Sequence, residues 1–162
     1  MTESPTSTHR MFCTFRVNDR LFGVDILDVK EVTAETAFTR VAHAPDEVLG
    51  LVNIRGHIYL ALDLHRLLGL PATVVAGESR LVLFKPSVGN AFGVVVDAIS
   101  DIRTVDASRT ESFARADHEA AGPGAGRADL IDCVCELDSE LLVVLNPRRF
   151  LAVIEQSPSA TT

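Results

Sequence analysis

Three sets of side chains in this sequence could carry chemistry, and each implies a different function. The first is Arg55, in the run Glu47-Val48-Leu49-Gly50-Leu51-Val52-Asn53-Ile54-Arg55-Gly56-His57-Ile58-Tyr59-Leu60-Ala61-Leu62-Asp63-Leu64. A guanidinium held on a turn offers a planar fork of donors to a carboxylate or carbonyl of another molecule. The second set is His57, His65, Cys13, Cys133 and Cys135, which could bind a metal only if three or four of them converge. The third is Asp63, Asp97 and Asp101, which need to approach in pairs before acid–base work is plausible.

Spacing separates these possibilities. His57 and His65 could meet across a central hairpin, and Cys133-x-Cys135 places two thiols on one strand face, but no CxxC pair or HExxH is present. No GxSxG elbow occurs. The run Gly122-Pro123-Gly124-Ala125-Gly126 has no strand before it, its proline removes a donor that a phosphate cradle needs, and no Walker Gly-Lys-Ser/Thr follows. The aspartates fit turn and cap roles, and the thiols and histidines fit buried and surface roles. No catalytic constellation is legible, and recognition of another molecule by Arg55 is the reading left standing. A metal- or ligand-binding barrel using the thiols and histidines is the alternative.

The elements that must hold Arg55 are two strands. Leu49, Leu51 and Ile54 supply apolar faces on the way in. Ile58, Leu60, Leu62 and Leu64 recur every second residue on the way out, the period of a half-buried strand. Gly56 can adopt the positive φ that a tight hairpin needs, and the Asn53 side chain can bond nearby backbone. Arg55 therefore sits on an exposed corner of a buried ladder.

The rest of the chain reads as short strands joined by turns. Met11, Cys13, Phe15 and Val17 alternate onto one face, Asn18-Asp19 turns the chain, and Arg20–Val24 returns. Asp25 caps a single helical turn, followed by a strand through Glu31 to Ala34. Asp63 caps a turn over residues 64–68 that stops at Gly69, with Pro71 beyond. Residues 80–85 and 91–97 form a hairpin whose nearly continuous apolar runs imply cover on both faces. Residues 106–129 read as a long surface loop, residues 130–137 and 141–145 as a last hairpin, and Asn146-Pro147 as the start of a closing helix. Residues 1–10 and 156–162 are polar tails expected to be disordered.

With 162 residues, 47% of them hydrophobic and 23% charged, the chain suits one globular domain. About eight short strands and a terminal helix suggest small closed barrels, because closure removes sticky edges. The net charge of −7 disfavours nucleic acid and anionic membranes. No apolar run approaches the roughly 18 residues of a membrane-spanning helix, and no secretory signal is apparent. Three cysteines make no disulfide framework, so a reducing cytoplasm is the simplest setting.

The run VLGLVNIRGHIYLALDL resembles the signature of the CheW-like chemotaxis coupling family, with GVDILDVKEV (23–32) and VVDAISDI (95–102) as further matching stretches. The resemblance runs from about residue 12 to 154, within a domain placed at 11–155, and implies a mainly β fold: two SH3-like five-stranded barrels sharing a core, and a short C-terminal α-helix. It also implies an adaptor that requires no cofactor and couples chemoreceptors to a CheA-type histidine kinase. In that role it would dock the receptor's cytoplasmic tip and the kinase's regulatory domain, at membrane-associated arrays, without entering the membrane itself. By the same resemblance, Arg55 and Glu31 serve the receptor-facing surface, while Gly50, Asn53 and Gly56 shape its backbone. Alternatively, Arg55 and Glu31 pair with each other. Three places depart from the pattern: Leu60, where many members carry proline; Asp132, where glycine is common; and the 106–129 loop, which carries little of the usual proline-rich character. They leave open, as a further alternative, the same adaptor fold serving a non-flagellar chemosensory pathway.

Overall fold

The computed structural model describes residues 9–106, 108, 110–112 and 128–156. Its first hairpin joins β1 (His9–Val17) to β2 (Arg20–Asp25) through Asn18 and Asp19, at φ 53° and 67°. Two successive positive φ values match the twist of a two-residue hairpin turn, and Asn and Asp tolerate them. Asp25 then caps the helical turn Ile26–Asp28, its carboxylate accepting the Leu27 N–H at 2.9 Å. The strand β1 begins at His9, so two residues expected in the N-terminal tail lie in a ladder; residues 1–8 and 157–162 lie outside the described residues.

The chain now crosses to a second sheet. It forms β3 (Val29–Thr33), β4 (Val48–Ile54), β5 (His57–Asp63), the short α1 (Leu64–Leu67), β6 (Arg80–Phe84) and β7 (Phe92–Val96). Asp63 caps α1 through the Arg66 N–H, and Gly69 takes φ 81° beyond it. The chain returns through Asp97 to β8 (Ala98–Asp106), β9 (Thr110–Ser112), β10 (Ile131–Glu136), β11 (Leu141–Leu145) and the closing α2 (Phe150–Gln156). Asn146 caps the Pro147–Arg149 turn that leads into α2.

Eleven strands among the described residues make two sheets, β8-β1-β2-β11-β10-β9 and β3-β6-β7-β5-β4. The first is a five-stranded sheet extended by the three-residue β9. Its outermost strands, β8 and β9, are separated by only three residues of chain. Extended chain spans about 3.3–3.6 Å per residue, so the sheet must curl to bring those edges together. The second sheet curls likewise: Thr39, beyond β3, exchanges two 2.8 Å backbone hydrogen bonds with Leu51 on β4.

Three apolar clusters explain the arrangement. Phe12, Leu21, Val105, Cys133, Cys135, Leu142 and Val144 fill the first barrel. Val52, Ile54, Tyr59, Ala61, Leu81, Leu83 and Val95 fill the second. The largest, with Phe15, Phe22 and Val143 from one sheet and Leu62, Phe84, Phe92 and Val94 from the other, is the core the barrels share. Fully burying such a side chain contributes about 1.5–3 kcal/mol, so this shared layer is what joins the barrels.

Several expectations need correction. In β1, Cys13, Phe15 and Val17 do enter the shared core, but Met11 is exposed and Phe12, on the opposite face, is buried in the first barrel. In β4, the register shifts between Val48 and Gly50, so Leu49, Val52 and Ile54 face the second barrel and Leu51 faces out. In β5, Ile58 is 53% exposed, whereas Tyr59 and Ala61 on the other face are buried. The strands β8 and β9 were not anticipated. Of the expected 106–129 loop, the described part contains β9 and the helical turn Ala128–Leu130, and the rest lies outside the described residues.

Candidate functional site

The β4–β5 hairpin turns on two residues, Arg55 and Gly56, at φ 51° and 87°, with Ile54 and His57 as the closing pair. The Asn53 side-chain oxygen accepts the Gly56 N–H at 2.8 Å, which fixes the turn from outside. Glycine accepts positive φ without cost, but for other L-residues that backbone costs about 1–2 kcal/mol. Arg55 therefore occupies a position where asparagine or glycine would be less strained. The ladder below it, with Val52, Ile54 and Tyr59 buried, holds it there.

The Arg55 guanidinium donates to the Glu31 carboxylate on β3. Glu31 is mostly covered, but the Arg55 side chain remains 71% exposed. A guanidinium carries five N–H donors, so this pair leaves a fork available to an outside acceptor. An exposed ion pair contributes only about 0–1 kcal/mol, too little to account for the placement of both groups. Beside it, the Lys30 ammonium donates to the Tyr59 hydroxyl at 2.8 Å and lies 5.5 Å from the ring centroid. A notch lined by Lys30, His57, Ile58, Phe84, Pro86 and Ala91 opens next to these residues.

Glu31, Asn53, Arg55 and Gly56 thus gather at one corner. Gly50 does not join them: about 3.3 Å of rise per residue puts it roughly 17 Å away along β4. Its role is backbone clearance. A Cβ at Gly50, where φ is 149°, would stand 2.4 Å from the Thr39 carbonyl oxygen. Lys30, Tyr59 and the exposed Ile58 and Leu51 were missed in the sequence. The Tyr59 hydroxyl was the one available signal, since a tyrosine on the buried face of a strand needs a polar partner.

Several other titratable groups tie the framework together. His65 on α1 contacts Asp97 Oδ1 at 2.8 Å, and Asp97 Oδ2 accepts the Asn18 N–H at 2.9 Å, so Asp97 ties the two sheets where the chain crosses. His57 lies at the other end of β5 and does not meet His65. Arg16 grips Glu140 through two bonds, 2.8 and 2.9 Å, and this holds the Glu140 carboxyl below its usual range. Cys13 faces the shared core, whereas Cys133 and Cys135 face the first barrel, so the three thiols do not converge. A hydrogen bond with Cys135, then burial, pushes the Cys133 thiol up, and burial raises Cys13. Among the described residues no group of three His, Cys, Asp or Glu is placed to hold a metal ion.

Residues 11–155 match the CheW-like domain family. The chain belongs to that family. The chemotaxis protein CheW of Rhizobium meliloti is 35% identical over 140 residues, 83% of this chain and 88% of that protein. CheW of Bacillus subtilis is 28% identical over 105 residues, 65% of this chain and 67% of that protein. The crystal structure of the scaffolding protein TtCheW from Thermoanaerobacter tengcongensis superposes with a TM-score of 0.74 at 21% identity, covering 85% of this chain and 89% of that one. The CheW-like fold, two barrels around a shared core with a short C-terminal helix, is therefore the architecture here. No helix among the described residues is long and apolar enough to cross a membrane.

Proposed function

We propose that the Arg55 corner is the surface through which this chain docks the cytoplasmic tip of a chemoreceptor. As a member of the CheW-like family the chain is a non-enzymatic chemotaxis adaptor, a scaffold that couples receptors to a CheA-type histidine kinase. In the reading we favour, Arg55 gives its free donors to a carboxylate or carbonyl of the receptor. Glu31 orients the guanidinium, Asn53 and Gly56 hold the turn, and Gly50 lets the Thr39 segment cross β4. A different face engages the regulatory domain of the kinase, and the adaptor works on the cytoplasmic side, at receptor arrays, through these partners.

One observation carries the reading. An arginine is kept at φ 51° with its side chain 71% exposed, where a less strained residue would close the hairpin equally well. Backbone strain held in place by a rigid scaffold is a pointer to function. The test is co-sedimentation of the kinase with receptor-bearing vesicles. Wild-type adaptor should bring the kinase down and Arg55→Ala should not; equal recovery with both would remove Arg55 from the coupling surface.

A further inference from the structure

The strand β3 and the β4–β5 hairpin are opposite edges of their sheet, and no ladder joins them. Two consecutive residues bridge them through their side chains, Lys30 to Tyr59 and Glu31 to Arg55. In a regular strand, neighbouring side chains point to opposite faces, so two in a row should not reach the same hairpin. Here the pairing of β3 with β6 shifts register between Val29 and Glu31, leaving Lys30 as the extra residue. A bulge of this kind re-aims a side chain. The anchor it reaches is rigid: Tyr59 is 6% exposed and packs within the second barrel. Arg55, by contrast, ends on a long exposed stem whose side-chain partner among the described residues is Glu31.

We propose that Lys30 is the positioning residue of the Arg55 corner. Its bond to Tyr59 clamps β3 against the hairpin, which brings the Glu31 carboxylate to the guanidinium and orders Arg55 before any partner arrives. Lys30 itself touches no partner in this account. The inference rests on the receptor-facing role of Arg55 for its biological meaning, but not for its physical test.

Lys30→Met removes the donor and keeps the stem; Tyr59→Phe removes the acceptor and keeps the ring in the core. In both, NMR relaxation of the Arg55 Nε–Hε group should report a fall in order with the thermal midpoint little changed. Affinity for a chemoreceptor cytoplasmic hairpin fragment should drop about three- to tenfold, the cost of immobilising one side chain rich in rotamers. Binding of the kinase regulatory domain should stay as in the wild type. Adding Lys30→Met to Arg55→Ala should cause no further loss. Unaltered Arg55 order in both variants would overturn the proposal, as would equal weakening of receptor and kinase binding. If Arg55 loosens in both variants but Arg55→Ala binds the fragment like wild type, the positioning role stands and the receptor role of the corner falls.

Discussion

Arg55 and Glu31 meet across the open seam of the second barrel, one from the β4–β5 turn and the other from the edge strand β3. The pair does not consume the arginine, whose side chain stays 71% exposed. Pairing and recognition are therefore compatible: the carboxylate aims the fork, and the fork retains donors for another molecule.

Arg55→Asn separates stability from recognition. Asparagine suits positive φ better than arginine, which relieves strain of the order of 1 kcal/mol, while loss of the exposed pair costs about 0–1 kcal/mol. Urea unfolding should show stability unchanged or raised by up to about 1 kcal/mol, together with lost receptor binding. A fall well beyond that margin would mean the ion pair is chiefly structural.

The two glycines, Gly50 within β4 and Gly56 at the turn, should behave differently. An alanine at Gly50 would drive its Cβ to 2.4 Å from the Thr39 oxygen and disturb both hydrogen bonds between Thr39 and Leu51. Denaturant unfolding should register a loss of about 1–3 kcal/mol or more. At Gly56 no atom lies within 4 Å of the added Cβ, so only the φ of 87° is penalised and Gly56→Ala should cost about 1–2 kcal/mol. Equal losses would place the strain at Gly50 in φ alone and deny the close crossing.

Much of this was legible locally. The turns at Asn18-Asp19 and at Arg55-Gly56, and the caps Asp25, Asp63 and Asn146, rest on side chains that act within three residues of themselves, so type and spacing suffice. The strand β8 was not legible, because Ile99 and Ile102 are exposed and a register shift opposite Thr14 breaks its alternation. The outward turn of Leu51 and Ile58 depends on where the two barrels touch, which no local pattern contains. Lys30 and Tyr59 are distant in sequence and meet only because the sheet curls.

Glu140 gives the fold a definite acid response. Its carboxyl is held below the usual range by Arg16, so the charged form is favoured in the folded state. The stabilisation is complete above the unfolded carboxylate value of about 4.3 and is lost as pH falls through the lower folded value. Glu140→Gln should cost up to about 1 kcal/mol near neutrality, and its difference from wild type should shrink below about pH 4. A difference that persists unchanged at lower pH would show that the Arg16 contact stabilises through packing instead of charge.

The thiols should be inert in the folded protein. Cys13, Cys133 and Cys135 are buried, and the first two have raised pKa values. Alkylation at neutral pH should be slow for the native chain and fast for all three after denaturation. Rapid native labelling of Cys133 would contradict its placement inside the first barrel.

The central claim is that an exposed, backbone-strained arginine is the contact point with the receptor. Calorimetric titration of a chemoreceptor cytoplasmic fragment into wild type and Arg55→Ala tests it most directly, with circular dichroism confirming the fold of both. Arg55→Ala should bind with at least a tenfold weaker Kd, about 1.4 kcal/mol or more, with kinase binding preserved. Equal Kd values for the two proteins would contradict it.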